Sequence, residues 1–98
     1  MSTWLLLDVD GPLVADGSDV VDPSAAAALS CLPAQTPVVW YSGRERLAAE
    51  VIGPQVGLPG LDWVPIPDGW PDTPAYAKLA GLRRWMRSRP RARVVVID

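Results

Sequence analysis

An apolar run near the N-terminus, Trp4 to Leu7, ends in two aspartates separated by one valine. Consecutive apolar residues of this kind are typical of a strand buried on both faces, as in parallel sheets. The glycine and proline that follow break the pattern, so the chain must turn directly after the second aspartate. Side chains alternate along a strand, and Asp8 and Asp10 are therefore expected to start on the same side.

Paired carboxylates at a strand end carry chemical consequences. Two such charges repel by about 4 kcal/mol at about 4 Å and an effective dielectric constant of about 20. A cation can relieve that repulsion, or one carboxyl group can hold a proton, and both outcomes suit catalysis. A plainer interpretation is that aspartate ends the strand because it is a good turn residue. The Asp-x-Asp-Gly spacing directly after the apolar run favours the functional interpretation.

Length and composition indicate one globular domain spanning residues 1–98. The hydrophobic content of 49% and charged content of 20% are ordinary for a folded chain. A formal net charge of −2 gives no overall attraction to nucleic acid or anionic membranes. No apolar run reaches membrane-spanning length, and no basic segment precedes the first one. We therefore expect neither a membrane partner nor a signal peptide.

The chain has one cysteine, Cys31, and no histidine. An internal disulfide is excluded, which favours a reducing, cytoplasmic compartment. Cys31 lies among alanines and leucines and is expected to be buried. Without histidine, a Ser-His-Asp triad, a histidine base and a histidine metal site are excluded. Any bound metal must take oxygen ligands, and this favours Mg²⁺.

Strand and helix patterns alternate along the chain. Strands are predicted over residues 3–7, 37–41, 61–66 and 93–97. Helices are predicted over residues 23–32, with Asp22 as the N-cap, and over residues 45–52 and 75–88. A hairpin flap is predicted over about 11–22, because Asp-Gly stands between short apolar pairs, although a plain loop fits the composition equally well.

This alternation with short links is typical of an α/β fold with a parallel sheet and right-handed crossovers. Pro65 places the third predicted strand at an edge, since proline cannot donate to a strand ladder. Ligands of such sheets bind beyond the carboxyl ends of the strands. Polar side chains that lie at those ends are Asp8, Asp10, Ser42 and Asp98. The sequence therefore predicts a site where they converge.

The six residues from Asp8, DVDGPL, resemble the first motif of the haloacid dehalogenase (HAD) superfamily, an apolar strand followed by D-x-D-G-x-[LVT]. In that family the first aspartate is the nucleophile and the second is a general acid and base. The resemblance implies these roles for Asp8 and Asp10. Pro12 is unusual at its position, but the mechanism needs nothing from it.

Three further positions match the family in order along the chain. Ser42 follows the second predicted strand, Lys78 lies near a helix start, and Asp98 follows an apolar strand. The resemblance implies that Ser42, Gly43 and Lys78 bind the substrate phosphate, and that Mg²⁺ is held by Asp8, Asp10 and Asp98. Each match has a plainer interpretation when taken singly: a helix cap, a solvated charge and a chain end.

The resemblance covers the whole chain and implies a Rossmann-like three-layer sandwich with strand order 4-1-2-3. It implies a Mg²⁺-dependent phosphatase that forms an aspartyl-phosphate on Asp8. The segments between motifs are too short for a cap domain, which implies an open site for phosphorylated substrates, RNA or DNA ends included. Trp40, the stretch 57–59 and the stretch 83–85 are similar to the small HAD domain of Swiss Army knife RNA-repair proteins.

Family members continue past the fourth motif with a second acidic residue, whereas this sequence stops at Asp98, so a fold truncated after the fourth strand is expected. An alternative function follows: a catalytically weak or inactive module that binds phosphate or a partner. A receiver-like phosphoacceptor ranks last, since Asp68 is off the place its acceptor requires. The arginines from Arg83 to Arg93 are interpreted as complementing a helix dipole, in preference to an RNA-binding surface. The oligomeric state is left open.

Overall fold

The structure is a computed structural model that describes residues 3–15, 18–66 and 75–98. The tip of the predicted flap, residues 16–17, lies outside the described residues. Asp68, the acceptor position of the receiver-like alternative, also lies outside them, within residues 67–74.

A three-stranded parallel sheet forms the centre of the fold. Its strands are β1 (Thr3–Leu7), β2 (Val38–Trp40) and β3 (Arg93–Ile97), arranged in the order β2-β1-β3. The predicted α/β class with parallel strands is confirmed, and β1 and β3 have the predicted bounds. Because the strands are parallel, their carboxyl ends meet at one edge of the sheet.

The predicted strand over residues 61–66 is wrong in extent. Beside β2 this segment makes a single parallel bridge, between Trp40 and Trp63. The N–H of Val64 donates to the Trp40 carbonyl over 2.8 Å. The next residue, Pro65, has no N–H, so the ladder cannot continue through it. Val64 is nevertheless fully buried, and the segment therefore belongs to the core without being a regular strand.

The described residues contain two α-helices, α1 (Pro23–Ser30) and α2 (Ala75–Arg87), and a less regular helical region after β2. α1 begins as predicted, because the Asp22 carboxylate accepts from the Ser24 N–H over 2.8 Å. The predicted second helix is instead a π-helical turn, Ala48–Ile52, followed by a 3-10 helix, Gly53–Val56. Glu45 has a left-handed φ of 50°, so no α-helix can begin there.

Alternating side chains of β1 fill two core clusters on opposite faces of the sheet. Leu7 packs with Trp40 and Ile52 in the first, and Leu6 packs with Trp85 in the second. Both leucines are almost completely buried. No helix in the described part of the chain is long and apolar enough to cross a membrane.

Two regions at the periphery of the fold leave apolar or small side chains exposed: the end of α1 and the strand β3. Cys31, expected to be buried, is exposed just after the end of α1, because that helix has no fully buried position. β3 is bonded only to β1 within the described residues, and Val95 and Ile97 on it are 48% and 39% exposed. The edge of the sheet at β3 is therefore apolar and accessible.

Gly81 permits the close approach of α2 to the segment 62–66. A Cβ at this position would lie 2.6 Å from the carbonyl oxygen of Pro65, which is backbone and cannot swing away. We expect Gly81→Ala to destabilise the chain by about 1–3 kcal/mol, although alanine is the better helix former. Urea unfolding measures this, with the exposed Ala80→Gly substitution as the control for helix propensity. A Gly81→Ala chain more stable than the unsubstituted one would contradict this packing.

Candidate functional site

Asp8 stands at the end of β1 with β3 directly beside it. Its N–H donates to the carbonyl of Ile97 over 2.9 Å, and its carboxylate accepts from the N–H of Val9 over 2.7 Å. The residue is 8% exposed. Ile97 is the last residue of β3, and its carbonyl is bonded to the backbone of Asp8. The next residue in the chain, Asp98, therefore lies beside Asp8.

Lys78, the fourth residue of α2, connects the two carboxylates. Its Nζ lies 3.0 Å from Oδ2 of Asp8 and 3.6 Å from Oδ1 of Asp98. The same ammonium lies 4.7 Å above the ring centroid of Tyr41, which follows β2. Three predicted site residues thus converge at the carboxyl edge of the sheet, from β1, α2 and the end of β3.

The pKa values of the two aspartates are shifted in opposite directions. Burial and the hydrogen bond with Asp98 raise the pKa of Asp8 from 3.8 to about 6, against the lowering effect of Lys78. The hydrogen bond from Asp8 lowers the pKa of Asp98, and the positive charge of Lys78 adds to that effect. Asp8 is therefore the proton donor of the pair. Burial, with the negative charges of Asp98 and Asp8, raises the pKa of Tyr41.

The raised pKa of Asp8 predicts that the metal-free chain loses stability between about pH 4 and about pH 7. A pKa that is higher in the folded than in the unfolded state favours folding below the unfolded value, and that contribution is lost as pH rises through the folded one. For a shift from 3.8 to about 6, the loss is at most about 3 kcal/mol. Urea unfolding in EDTA at the two pH values measures it.

Asp8→Asn is the control for that pH dependence, because asparagine does not titrate. The variant is expected to show a flat profile over the same window. Asp98 does not confuse the result: its pKa is lowered, so its stabilising contribution is lost only as pH falls below 3.8. An unchanged pH dependence in Asp8→Asn would contradict the assignment of the proton to Asp8.

Asp10 is bound by a residue that the sequence analysis missed. Arg44 donates from Nε to Oδ2 of Asp10 over 2.9 Å and from Nη2 to Oδ1 over 2.6 Å. It also donates from Nη1 to Asp19 and from Nη2 to the carbonyl of Ser18, both over 2.6 Å. The arginine side chain is only 3% exposed. A signal was present: an arginine two residues after Ser42, at the sheet edge that carries the paired aspartates.

This two-point contact fixes the charge state of the ion pair. A planar guanidinium matches both oxygens of a carboxylate and favours its ionised form. The hydrogen bond to Asp10 is also the main reason why the pKa of Arg44 is raised above its usual value. Asp10 is thus held as a hydrogen-bond acceptor beside the flap residues, which suits a general base better than a general acid.

Ser42 and Gly43 follow β2 at the same edge of the sheet. Ser42 is fully buried, and its hydroxyl oxygen accepts from the N–H of Arg44 over 3.1 Å. Its carbonyl accepts from the N–H of Glu45 over 3.0 Å. Ser42 therefore caps the turn in this structure, as its plainer interpretation holds, and Gly43 is half-buried. Phosphate binding by these two residues stays a prediction.

Asp8 and Asp98 are the predicted metal ligands that the structure brings together. Within the described residues, no group of three acidic, cysteine or histidine side chains is placed to hold a metal ion. The pair still fits Mg²⁺, which is commonly bound by one or two carboxylates and several waters. Burial, followed by the hydrogen bond with Asp98, raises the pKa of Asp8. A divalent cation between the two carboxyl groups would favour their ionised forms. A ligand role for Asp10 stays a prediction.

Comparisons with protein-family models, with curated proteins and with solved structures find no match for this chain.

Proposed function

We propose that the chain is a Mg²⁺-dependent phosphohydrolase of the HAD type, acting on phosphomonoesters. The observation that carries the proposal is the contact of Lys78 with both Asp8 and Asp98 at the carboxyl edge of a parallel sheet. A nucleophilic carboxylate can approach a phosphate only if the negative charges are neutralised. Lys78 would supply part of that neutralisation, and a cation held by Asp8 and Asp98 would supply the rest. The DVDGPL motif supports the same family.

In this proposal, the reaction runs in two displacements at phosphorus. The carboxylate of Asp8 attacks, the bond to the leaving oxygen breaks, and that oxygen takes a proton from water. Water then attacks the aspartyl-phosphate, releases inorganic phosphate and restores the carboxylate. Asp10, held ionised by Arg44, accepts the proton of that water. Bound Mg²⁺ would offset the charge that gathers on the transferring phosphoryl group.

The finer fold assignment belongs to the same proposal. We propose a Rossmann-like sheet in the order 4-1-2-3, with the segment 61–66 in the third position and β3 in the fourth. The parallel bridge between Trp40 and Trp63 supports this, because it puts that segment beside β2 on the side away from β1. The similarity to Swiss Army knife RNA-repair domains and the cytoplasmic location stay predictions.

Hydrolysis of an aryl phosphate, with and without Mg²⁺, tests the proposed function. We expect activity that EDTA abolishes and that Mg²⁺ restores. Asp98→Asn is expected to raise the Mg²⁺ concentration needed for half-maximal activity by about tenfold or more, since one of two anionic ligands is lost. Asp22→Asn is the matched control, because asparagine caps α1 equally well. EDTA-insensitive activity, unchanged in Asp98→Asn, would contradict the proposal.

The second candidate is a module that binds phosphate without turnover. The burial of Ser42 and the pairing of Asp10 with Arg44 favour it, since both groups already have protein partners. In that case, inorganic phosphate would raise the unfolding temperature, while no aryl phosphate would be hydrolysed. Asp10→Asn would then leave the phosphate effect unchanged.

A further inference from the structure

Positive and negative charges are segregated along this chain. Seven of the nine Lys and Arg residues lie from Ala75 to Ile97, and that stretch contains no carboxylate. Ten of the eleven Asp and Glu residues precede it. The formal net charge of −2 therefore conceals one strongly basic region, formed by α2, the turn after it and β3.

The side chains of most arginines of this region make no hydrogen bond or ion pair with the part of the chain that the structure describes. Arg89 does: its guanidinium lies 4.3 Å from the ring centroid of Trp85, and it donates to the hydroxyl of Ser88 over 2.8 Å. Five others are exposed and make no ion pair within the described residues. These five are called here the arginine face: Arg83, Arg84, Arg87, Arg91 and Arg93. Complementing one helix dipole does not require so many cations.

A groove of about 330 Å³ opens between α2 and the segment 62–65, next to the arginine face. Its lining includes two tryptophans, Trp63 and Trp85, and two arginines, Arg84 and Arg89. Trp63 is half-buried and also packs against the first core cluster. One carboxylate, Asp62, also lines it. The lining of the groove thus combines aromatic residues with positively charged residues.

We propose that the arginine face and this groove bind single-stranded nucleic acid. Phosphates of the strand lie on Arg84, Arg87 and their neighbours, and one base enters the groove and stacks on Trp63. Asp62 repels a phosphate but accepts a hydrogen bond from a base amino group, which assigns the groove to the base. An acidic peptide would satisfy the arginines but offers no flat ring for the indole.

A duplex fits this surface less well than a single strand. Bases within a duplex are stacked on each other and paired, so none is free to enter the groove. The proposal does not rest on the phosphatase activity, since none of Asp8, Lys78 and Asp98 lines the groove. It concerns a second property of the chain, and its experiment measures binding alone.

Fluorescence anisotropy of a fluorescein-labelled single-stranded oligonucleotide, titrated with the full chain over a series of salt concentrations, tests the proposal. We expect binding that weakens steeply with salt. The double variant Arg84→Gln/Arg87→Gln is expected to reduce the slope of log K against log salt by about 1.4, or about 0.7 for each lost phosphate contact. Both arginines are exposed, so the double variant should fold.

Trp63→Ala is expected to weaken binding by about tenfold, and Trp63→Phe to retain most of it, because a ring remains for stacking. Arg46→Gln is the matched control: Arg46 is exposed, lies outside the basic region and pairs with Glu50 over 3.6 Å. Asp8→Asn is expected to bind like the unsubstituted chain, so loss of binding and loss of hydrolysis are separate results.

Three outcomes would overturn the proposal. One is the absence of binding at low salt. Another is an equal loss of affinity in Arg46→Gln and in the double arginine variant, which would indicate general charge attraction. The third is displacement by polyglutamate or by the matching duplex as readily as by the unlabelled single strand, which would assign the surface to another polyanion.

Discussion

Replacing Asp8 by asparagine is expected to lower kcat for phosphate-ester hydrolysis by at least about a thousandfold, because the amide cannot act as the nucleophile. Asparagine preserves the shape of the side chain and can still accept from the N–H of Val9, so the fold is retained. Steady-state hydrolysis of an aryl phosphate at saturating Mg²⁺ measures the effect, with circular dichroism to verify folding.

Two comparisons make the Asp8 result specific. Asp22→Asn removes a carboxylate of the same kind from the start of α1 and should leave kcat unchanged. Asp8→Glu keeps the charge but extends the carboxylate by one methylene, and misplacement of a reacting group is expected to be nearly as costly as its removal. An Asp8→Asn chain that retains a large share of the activity would mean that Asp8 is not the nucleophile.

Replacing Arg44 by methionine is expected to lower the free energy of unfolding by about 3–5 kcal/mol. The side chain of Arg44 is only 3% exposed. Its removal leaves the carboxylate of Asp10, whose side chain is 22% exposed, without its bidentate partner. The hydrogen bonds to Ser18 and Asp19 are lost as well, which releases the flap residues from the site. Urea unfolding at neutral pH measures the change.

Arg46→Met is the control for Arg44, since its pair with Glu50 is exposed on both sides and worth less than about 1 kcal/mol. Adding Asp10→Asn to Arg44→Met is expected to recover part of the lost stability, because an amide is cheaper to leave unpaired than a carboxylate. If Arg44→Met cost no more than Arg46→Met, the buried ion pair would not be holding the site together.

The regular elements could be predicted wherever a single pattern dominated. β1 and β3 are uninterrupted apolar runs, and α2 has a clear apolar stripe, so their positions followed from periodicity. The segment 61–66 looked like a strand by composition, but Pro65 limits its ladder to one bridge. The region after β2 lost its α-helical form because Glu45 turns left-handed, and residue composition does not reveal a single backbone angle.

The candidate site could be predicted only as far as topology dictates it. Asp8 and Asp98 follow neighbouring parallel strands, so their approach follows from the strand order. The pairing of Arg44 with Asp10 joins residues that lie far apart in sequence and on different elements. The position of Arg44 two residues after Ser42 puts it at the right edge of the sheet, but it does not specify which carboxylate the arginine binds. The same holds for Trp63 and Arg84, which line one groove although they lie on different segments.

Chemical trapping of the intermediate tests the nucleophilic role of Asp8 most directly. The chain is mixed with an aryl phosphate and Mg²⁺, quenched during turnover and treated with borohydride, which reduces an acyl phosphate to an alcohol. Peptide mass spectrometry is expected to find homoserine in place of aspartate at position 8, and at no other aspartate. Hydrolysis with every aspartate left intact, or homoserine at a different position, would contradict the account.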